Sequence, residues 1–387
     1  MSFIVNRAEL ARAVTVCGSM VAAAKNKDAA KRALLEFDGF NLGVAVCDRA
    51  EVWCQFGLHD PIYNEKTFKG KTVVPTKPLA DFLKAAQYET VALGLDENGT
   101  LTATSGRYST RIYGDSPLNY PRPWERLNLE GDKDAVFFEV AAPALREAIG
   151  KTANTTLDGH ETYNLNGVLL SPDTRPNRLA LSSCDGERFN RASFRVDPLA
   201  WEAARDWPKQ AIVSAKGLRE LGKFCERLKA VRLAMEGSWL LATAEGAAMG
   251  AALLDGTFPD DLMFPPDATM DYAAVSRKDL LDSLRRVSIV ADKGARWGRF
   301  AFAGDRLTLE IANPGVGKSE DWVASRHTKE FETALDPAAL AEILSAMKGE
   351  EVTVGFKADG RVYRISSEGD ESYQALVSVP GESAIWR

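Results

Sequence analysis

The chain has 387 residues, 45% of them hydrophobic, which is enough to bury several cores and suggests two to four domains of ordinary size. A formal net charge of −6 argues against a protein that coats nucleic acid by bulk attraction, and five scattered cysteines with three scattered histidines (His59, His160, His327) offer no zinc-site spacing and little material for acid/base chemistry. No apolar run reaches the roughly 18 residues of a membrane span, and the start MSFIVNRAEL lacks the layout of a secretory signal, so a cytoplasmic protein is expected.

Taken in chain order, one pattern recurs six times: a short apolar strand-like run, a small or polar residue suited to capping, and an amphipathic helix with leucine near its first turn. The copies are FIVNRAELARAV, VVPTKPLADFLKAA, FFEVAAPALREAIG, AIVSAKGLRELGKF, YAAVSRKDLLDSLRRV and FETALDPAALAEILSAM. Strand-turn-strand runs follow each helix. After the first, third and fifth come LLEFDGFNLGVAVCD, VLLSPDTRPNRLALSSCD and FAFAGDRLTLEIAN. After the second, fourth and sixth come TVALGLDENGTLTATSG, AVRLAMEGSWLLATAEG and EVTVGFKADGRVYRISSEG, with ENG, EGS and ADG as tight turns.

The chain therefore reads as α+β: six copies of strand, helix, strands, paired into three similar domains, each with helices on one face of antiparallel sheets. The proline- and charge-rich segments NYPRPWERLNLEGDKD and FPDDLMFPPDATMD place joints near residues 132 and 266, giving domains 1–132, 133–266 and 267–387.

Positive charge gathers on these helices. At about 100° per residue, Lys216, Arg219, Lys223 and Arg227 fall along one stripe of the fourth helix, opposite Leu218, Leu221, Cys225 and Leu228. Lys278 and Arg285 of the fifth helix lie opposite Leu280, Leu284 and Val287, and Arg7, Arg12, Lys77, Lys84, Arg146 and Lys151 add cations to the first three. The sixth breaks the pattern with Asp336 and Glu342. A solvated face explains any one stripe; recurrence in an acidic chain points to a phosphate-facing surface.

The stretches ETYNLNGVLL, SSCDGERF, DGTFPDDLMFP and LRRVSIVADKGARWG resemble, in order and spacing, signature segments of the bacterial beta sliding clamp, the beta subunit of DNA polymerase III. VVPTKPLADFL followed by SGRYSTRIYGDSPLNYPRP is similar to the second half of its first domain. The resemblance implies the DNA clamp fold, a head-to-tail homodimeric ring with helices inside and sheets outside, encircling double-stranded DNA without sequence preference. It implies a non-catalytic processivity factor for a replicative polymerase, with no cofactor, metal or membrane.

By the same resemblance Tyr163 lies near DNA, Lys25 and Lys27 stand in for a family arginine, and Asn164 replaces a second aromatic residue. A cleft between the second and third domains, binding short linear motifs of polymerases, clamp loader and repair proteins, maps to Leu165, Cys184, Gly186, Arg188, Phe189, Pro259, Met263, Phe264, Val377, Val379 and Pro380. Core packing is the alternative for part of that set. Ring closure maps to Ile112, Ile289 and Val290.

Two other functions compete. A specialised or decoy clamp paralogue, from a plasmid, phage or repair system, would carry the same segments. A P-loop NTPase is raised by ANPGVGKS, residues 312–319, in which Lys318 would hold phosphates and Ser319 magnesium. That loop must open a helix, whereas SEDWVASRHTKEFETAL reads as a return into a strand.

Overall fold

The computed structural model describes residues 3–22, 31–48, 51–58, 63–64, 69–127, 129, 137–159, 163–205, 207–208, 210–259, 270–292, 294, 296–356 and 362–379. Its helices are α1 (Arg7–Ala22), α2 (Thr76–Ala85), α3 (Ala142–Thr152), α4 (Pro198–Ala204), α5 (Ala215–Phe224), α6 (Arg277–Val287) and α7 (Pro337–Ala346). All but α4 are the helices of the sixfold repeat. Each of those six follows a short strand with at most one residue between, and at least three strands come after it.

Local chemistry sets the helix starts. Asn6 Oδ1 accepts from the amides of Ala8 (2.8 Å) and Glu9 (3.2 Å), Ser276 Oγ from Asp279 (3.4 Å), and Asp336 Oδ1 from Ala338 and Ala339 (2.9 and 3.2 Å). These oxygens satisfy amides that a first helical turn leaves without partners. The buried face of α1 carries Leu10, Cys17 and Met20, one helical stripe, and packs on α2 and on the strands Leu42–Cys47 and Val52–Leu58.

The short α4 has no counterpart in the expected repeat. Asp197 caps it, accepting from the Leu199 amide at 2.9 Å, and Pro198 opens its first turn. That pair is a legible start signal that a search for long amphipathic stretches passes over.

The described residues fall into two compact units. The first spans Met1–Arg146, Val196–Trp207 and Lys216–Leu254; the second spans Glu147–Arg195, Pro208–Ala215 and Asp255–Arg387. In the first, an antiparallel sheet runs in the order Phe138–Ala141, Ala230–Glu236, Trp239–Ala244, Ala247–Leu254, Val52–Leu58, Leu42–Cys47, Arg32–Asp38 and Lys69–Pro75. A second sheet there runs Tyr63–Asn64, Phe3–Asn6, Thr90–Leu95, Leu101–Ser105 and Tyr108–Ile112. The proline-rich stretch expected to be a joint is packed down in this unit. Tyr120, Trp124, Leu127 and Leu129 lie against a core of Cys47, Trp53, Ala234, Leu241 and Ala248, and the Tyr120 hydroxyl donates to the Arg32 carbonyl at 2.9 Å.

In the second unit, a sheet runs Ile212–Ser214, Gly167–Pro172, Arg178–Cys184, Arg188–Arg195, Tyr373–Ser378, Val362–Ser367, Glu351–Phe356, Asp271–Ser276 and Gly317–His327. The long strand Gly317–His327 continues into a smaller sheet with Arg306–Asn313, Gly298–Ala303 and Phe331–Leu335. This disposes of the nucleotide-loop reading. Asn313 pairs with Gly317 across a hairpin turn, a strand follows in place of a helix, and Lys318 is held by Glu310 and Glu320 at 3.0 and 3.4 Å. Among the described residues no helix is long and apolar enough to cross a membrane.

Candidate nucleic-acid interface and partner cleft

In the first unit, α5 buries Leu218, Leu221 and Phe224 and exposes Arg219 and Lys223 on the opposite side, as an amphipathic helix must. Two members of the expected stripe behave differently. Lys216, at the start of α5, is turned into an ion pair with Asp48 and lies 3.6 Å from Glu51; its side chain is 19% exposed and that of Asp48 only 3%. Asp48 caps a tight turn by accepting from the Glu51 and Val52 amides, both at 2.9 Å. A carboxylate so buried needs a counter-charge, and Lys216 supplies it. It is therefore not an outward cation.

Arg227 is not on the helix. The Glu226 amide bonds to the Lys223 carbonyl at 3.0 Å and the Leu228 amide to the Cys225 carbonyl at 3.1 Å. These tight turns end α5 and carry the chain back into the strand Ala230–Glu236, with Arg227 in the left-handed region at φ 68°. Cys225 remains on the buried side.

The other cations of this unit divide as well. Lys77 is exposed, and Arg146 is exposed with Glu226 at 4.0 Å, whereas the half-buried Arg7 donates to the Leu83 carbonyl near the end of α2 at 3.3 Å. Lys223 pairs with Glu220 at 2.8 Å, and that carboxylate, itself buried, also accepts from the Ser19 hydroxyl at 3.3 Å. Lys25 and Lys27 lie outside the described residues.

In the second unit, Lys278 and Arg285 are exposed on α6 while Leu280, Leu284 and Val287 are buried; Arg285 also bonds Asp282 at 3.0 Å. Tyr163 is half-buried beside Asn164, whose side-chain amide donates to the Asp255 carbonyl at 2.8 Å and whose backbone amide donates to the Thr257 carbonyl at 2.8 Å. The residue replacing an aromatic one is thus a loop anchor.

The cleft residues are brought together in this unit. The register of Arg188–Arg195 on Tyr373–Ser378 sets Arg188 opposite Val377 and Phe189 opposite Leu376. Leu165, Cys184, Phe189, Pro259 and Val377 are buried, and Phe189 packs on Phe258 with ring centroids 6.1 Å apart. Burial pushes the Cys184 thiol far up, so it stays neutral, and its sulfur accepts from the Gly186 amide at 3.2 Å. Gly186, at φ 92°, makes the turn that a side chain would strain. Val379 is half-buried; Met263, Phe264 and Pro380 lie outside the described residues.

What stays open carries both charge and apolar surface. A cavity of about 580 Å³ lies beside Arg188, lined also by Asp185, Glu187, Asp292, Arg296, Asp336 and Glu342. Arg188 bonds Asp185 at 2.8 Å and Glu342 at 2.6 Å; Arg296 pairs with Glu187 and with Asp336 at 3.1 Å. Sequence reasoning found only Arg188 of this group. Asp185 and Glu187 flank it on the same turn, but Glu342 and Asp336 come from α7 and its cap, and Asp292 and Arg296 from the loop after α6, too far along the chain for any local spacing to reveal.

Of the ring-closure residues, Ile112 ends the edge strand Tyr108–Ile112 and is buried within its own unit. Ile289 is 77% exposed in a short turn after α6, and Val290 beside it is half-buried.

Family models match over much of the chain: "DNA polymerase III beta subunit, central domain" over residues 139–260 and "DNA polymerase III beta subunit, C-terminal domain" over residues 263–380. The beta sliding clamp of Rickettsia bellii is 24% identical over 307 residues, covering 75% of this chain and 77% of the relative. That of Bacillus subtilis is 20% identical over 313 residues, covering 80% and 79%. Among solved structures, the DNA polymerase III beta subunit of Thermotoga maritima superposes with a TM-score of 0.84 at 20% identity, covering 98% of each chain. A sliding clamp of Bartonella birtlesii bound to griselimycin gives 0.85 at 18% identity, covering 98% of this chain and 99% of its own.

Proposed function

The chain belongs to the DNA polymerase III beta subunit family, the bacterial sliding clamps, and from that membership we propose how its own residues perform the task. It is a DNA sliding clamp: an accessory subunit that holds a replicative polymerase on its template by enclosing duplex DNA. The observation that carries this is the pair of family matches, in order across residues 139–380, on a chain whose sixfold βα repeat extends through the N-terminal third as well.

The working assembly is a head-to-tail homodimer of chains with domains 1–132, 133–266 and 267–387, closed through the edge strand ending at Ile112 and the exposed Ile289 turn. Arg219, Lys223, Lys77, Arg146, Lys278 and Arg285 face the DNA phosphates. Because a closed ring retains DNA topologically, these contacts need only be weak and sequence-independent, and a net-negative chain does not adhere to DNA from outside. Partner proteins dock short linear segments at the Arg188 to Val377 region. The chain acts as a tether and contributes no catalytic group.

Topology provides the test. Loaded by a clamp loader on nicked circular DNA, the protein is expected to stay bound through gel filtration and to be lost once the circle is cut. Equal loss from circular and linear DNA refutes encirclement.

A further inference from the structure

We propose that the cavity beside Arg188 receives a lysine or arginine side chain of the docking segment, so that this clamp selects partner peptides carrying cationic residues next to their apolar anchor. The inference rests on the peptide-cleft reading given above and adds a charge to it.

The cavity presents five carboxylates, Asp185, Glu187, Asp292, Asp336 and Glu342, against two guanidiniums, so its formal charge is −3. Both guanidiniums are already paired with carboxylates. Arg188 is clasped between Asp185 and Glu342, and Arg296 between Glu187 and Asp336. The acidic side chains at the mouth are accessible: Glu342 is 73% exposed and Glu187 48%. An acidic segment would meet repulsion here, and a basic one attraction.

A bound metal is the competing use of such a cluster. Among the described residues, however, no group of three or more histidine, cysteine, aspartate or glutamate side chains is arranged to hold one. Dispersed carboxylates around about 580 Å³ suit a long side chain with several donors and an apolar stem. Continuity with the cleft is direct, because Arg188 lines the cavity and pairs in register with Val377, and the Glu187 carbonyl accepts from the Ser378 amide at 2.9 Å. The wall is mixed: Ala291, Pro337, Ala338 and Ala339 lie beside the charges and can take the apolar stem of the incoming side chain, while the carboxylates decide which end group is accepted.

Two fluorescein-labelled ten-residue peptides test this, sharing a Leu-Leu-Phe anchor and differing only in three flanking residues, all lysine or all glutamate. Fluorescence anisotropy against the full chain at low salt is expected to give the lysine peptide on the order of tenfold tighter binding, with the gap shrinking as salt screens it. Glu342→Lys combined with Glu187→Gln, both surface changes whose folding is checked by circular dichroism, is expected to narrow the gap to roughly threefold or less. Equal affinity for both peptides, or a gap unmoved by the double variant, overturns the charge preference and leaves the cleft reading standing. Binding of neither peptide overturns both.

Discussion

Lys216 and Arg219 lie three positions apart on α5 and serve different ends. Lys216 neutralises the buried Asp48, so Lys216→Ala strands a carboxylate and is expected to cost about 3 kcal/mol. Arg219 is exposed; Arg219→Glu is expected to cost much less stability than Lys216→Ala and to weaken retention on circular DNA. Thermal denaturation beside a retention assay separates the two, and equal melting temperatures for both variants would contradict the assignment. Asp173 gives a pH dependence. Burial alone would raise its carboxyl, but the Arg175 side chain and amide, with Arg191 nearby, bring it below the usual range. A carboxyl lowered in the folded state stabilises fully above its unfolded value, about 3.9, and that contribution disappears as pH falls through the lowered folded value. Asp173→Asn is therefore expected to lower stability at neutral pH and to flatten the loss between about pH 5 and pH 3, as read from urea midpoints.

At the scale of elements, the strand pairings carry consequences that helix periodicity does not. Gly250 sits opposite Trp53 where Ala247–Leu254 joins Val52–Leu58, and a Cβ there would come within 2.1 Å of the indole nitrogen. Gly250→Ala is expected to lower stability by about 1–3 kcal/mol, seen as a reduced melting temperature; an unchanged melt would mean that Trp53 relaxes freely. Element positions were largely legible from the chain. The six strand-then-helix copies mark the repeat helices by their spacing, and the hairpins at ENG and EGS carry their own turn residues. Where legibility failed, the cause was local competition. Arg227 continues the helical spacing of Lys216, Arg219 and Lys223, yet the chain turns after Phe224 to begin a strand, and periodicity carries no record of that demand. The GKS of ANPGVGKS fits a phosphate loop as a string and fails as one because its backbone is committed to a hairpin.

For the whole molecule, closure of the proposed ring gives a further prediction. Ile289 is exposed in the single chain, so Ile289→Asp is expected to leave folding intact and to convert a dimer into monomers in sedimentation velocity. A dimer that persists would move the interface elsewhere.

The sequence by itself determined the sixfold repeat and the positions of its six helices, because periodicity, capping and turn chemistry act over a few residues and are written locally, and its signature segments carried the family. Only the tertiary structure decided which cations face solvent, that Trp53 and Gly250 share a sheet, and that Glu187, Arg296, Asp336 and Glu342 gather around Arg188. The physical reason is that a side chain's partner is chosen by strand pairing between distant segments. Whether a lysine meets phosphate or a buried aspartate depends on neighbours more than a hundred residues away, as Lys216 and Asp48 are, at a separation of 168.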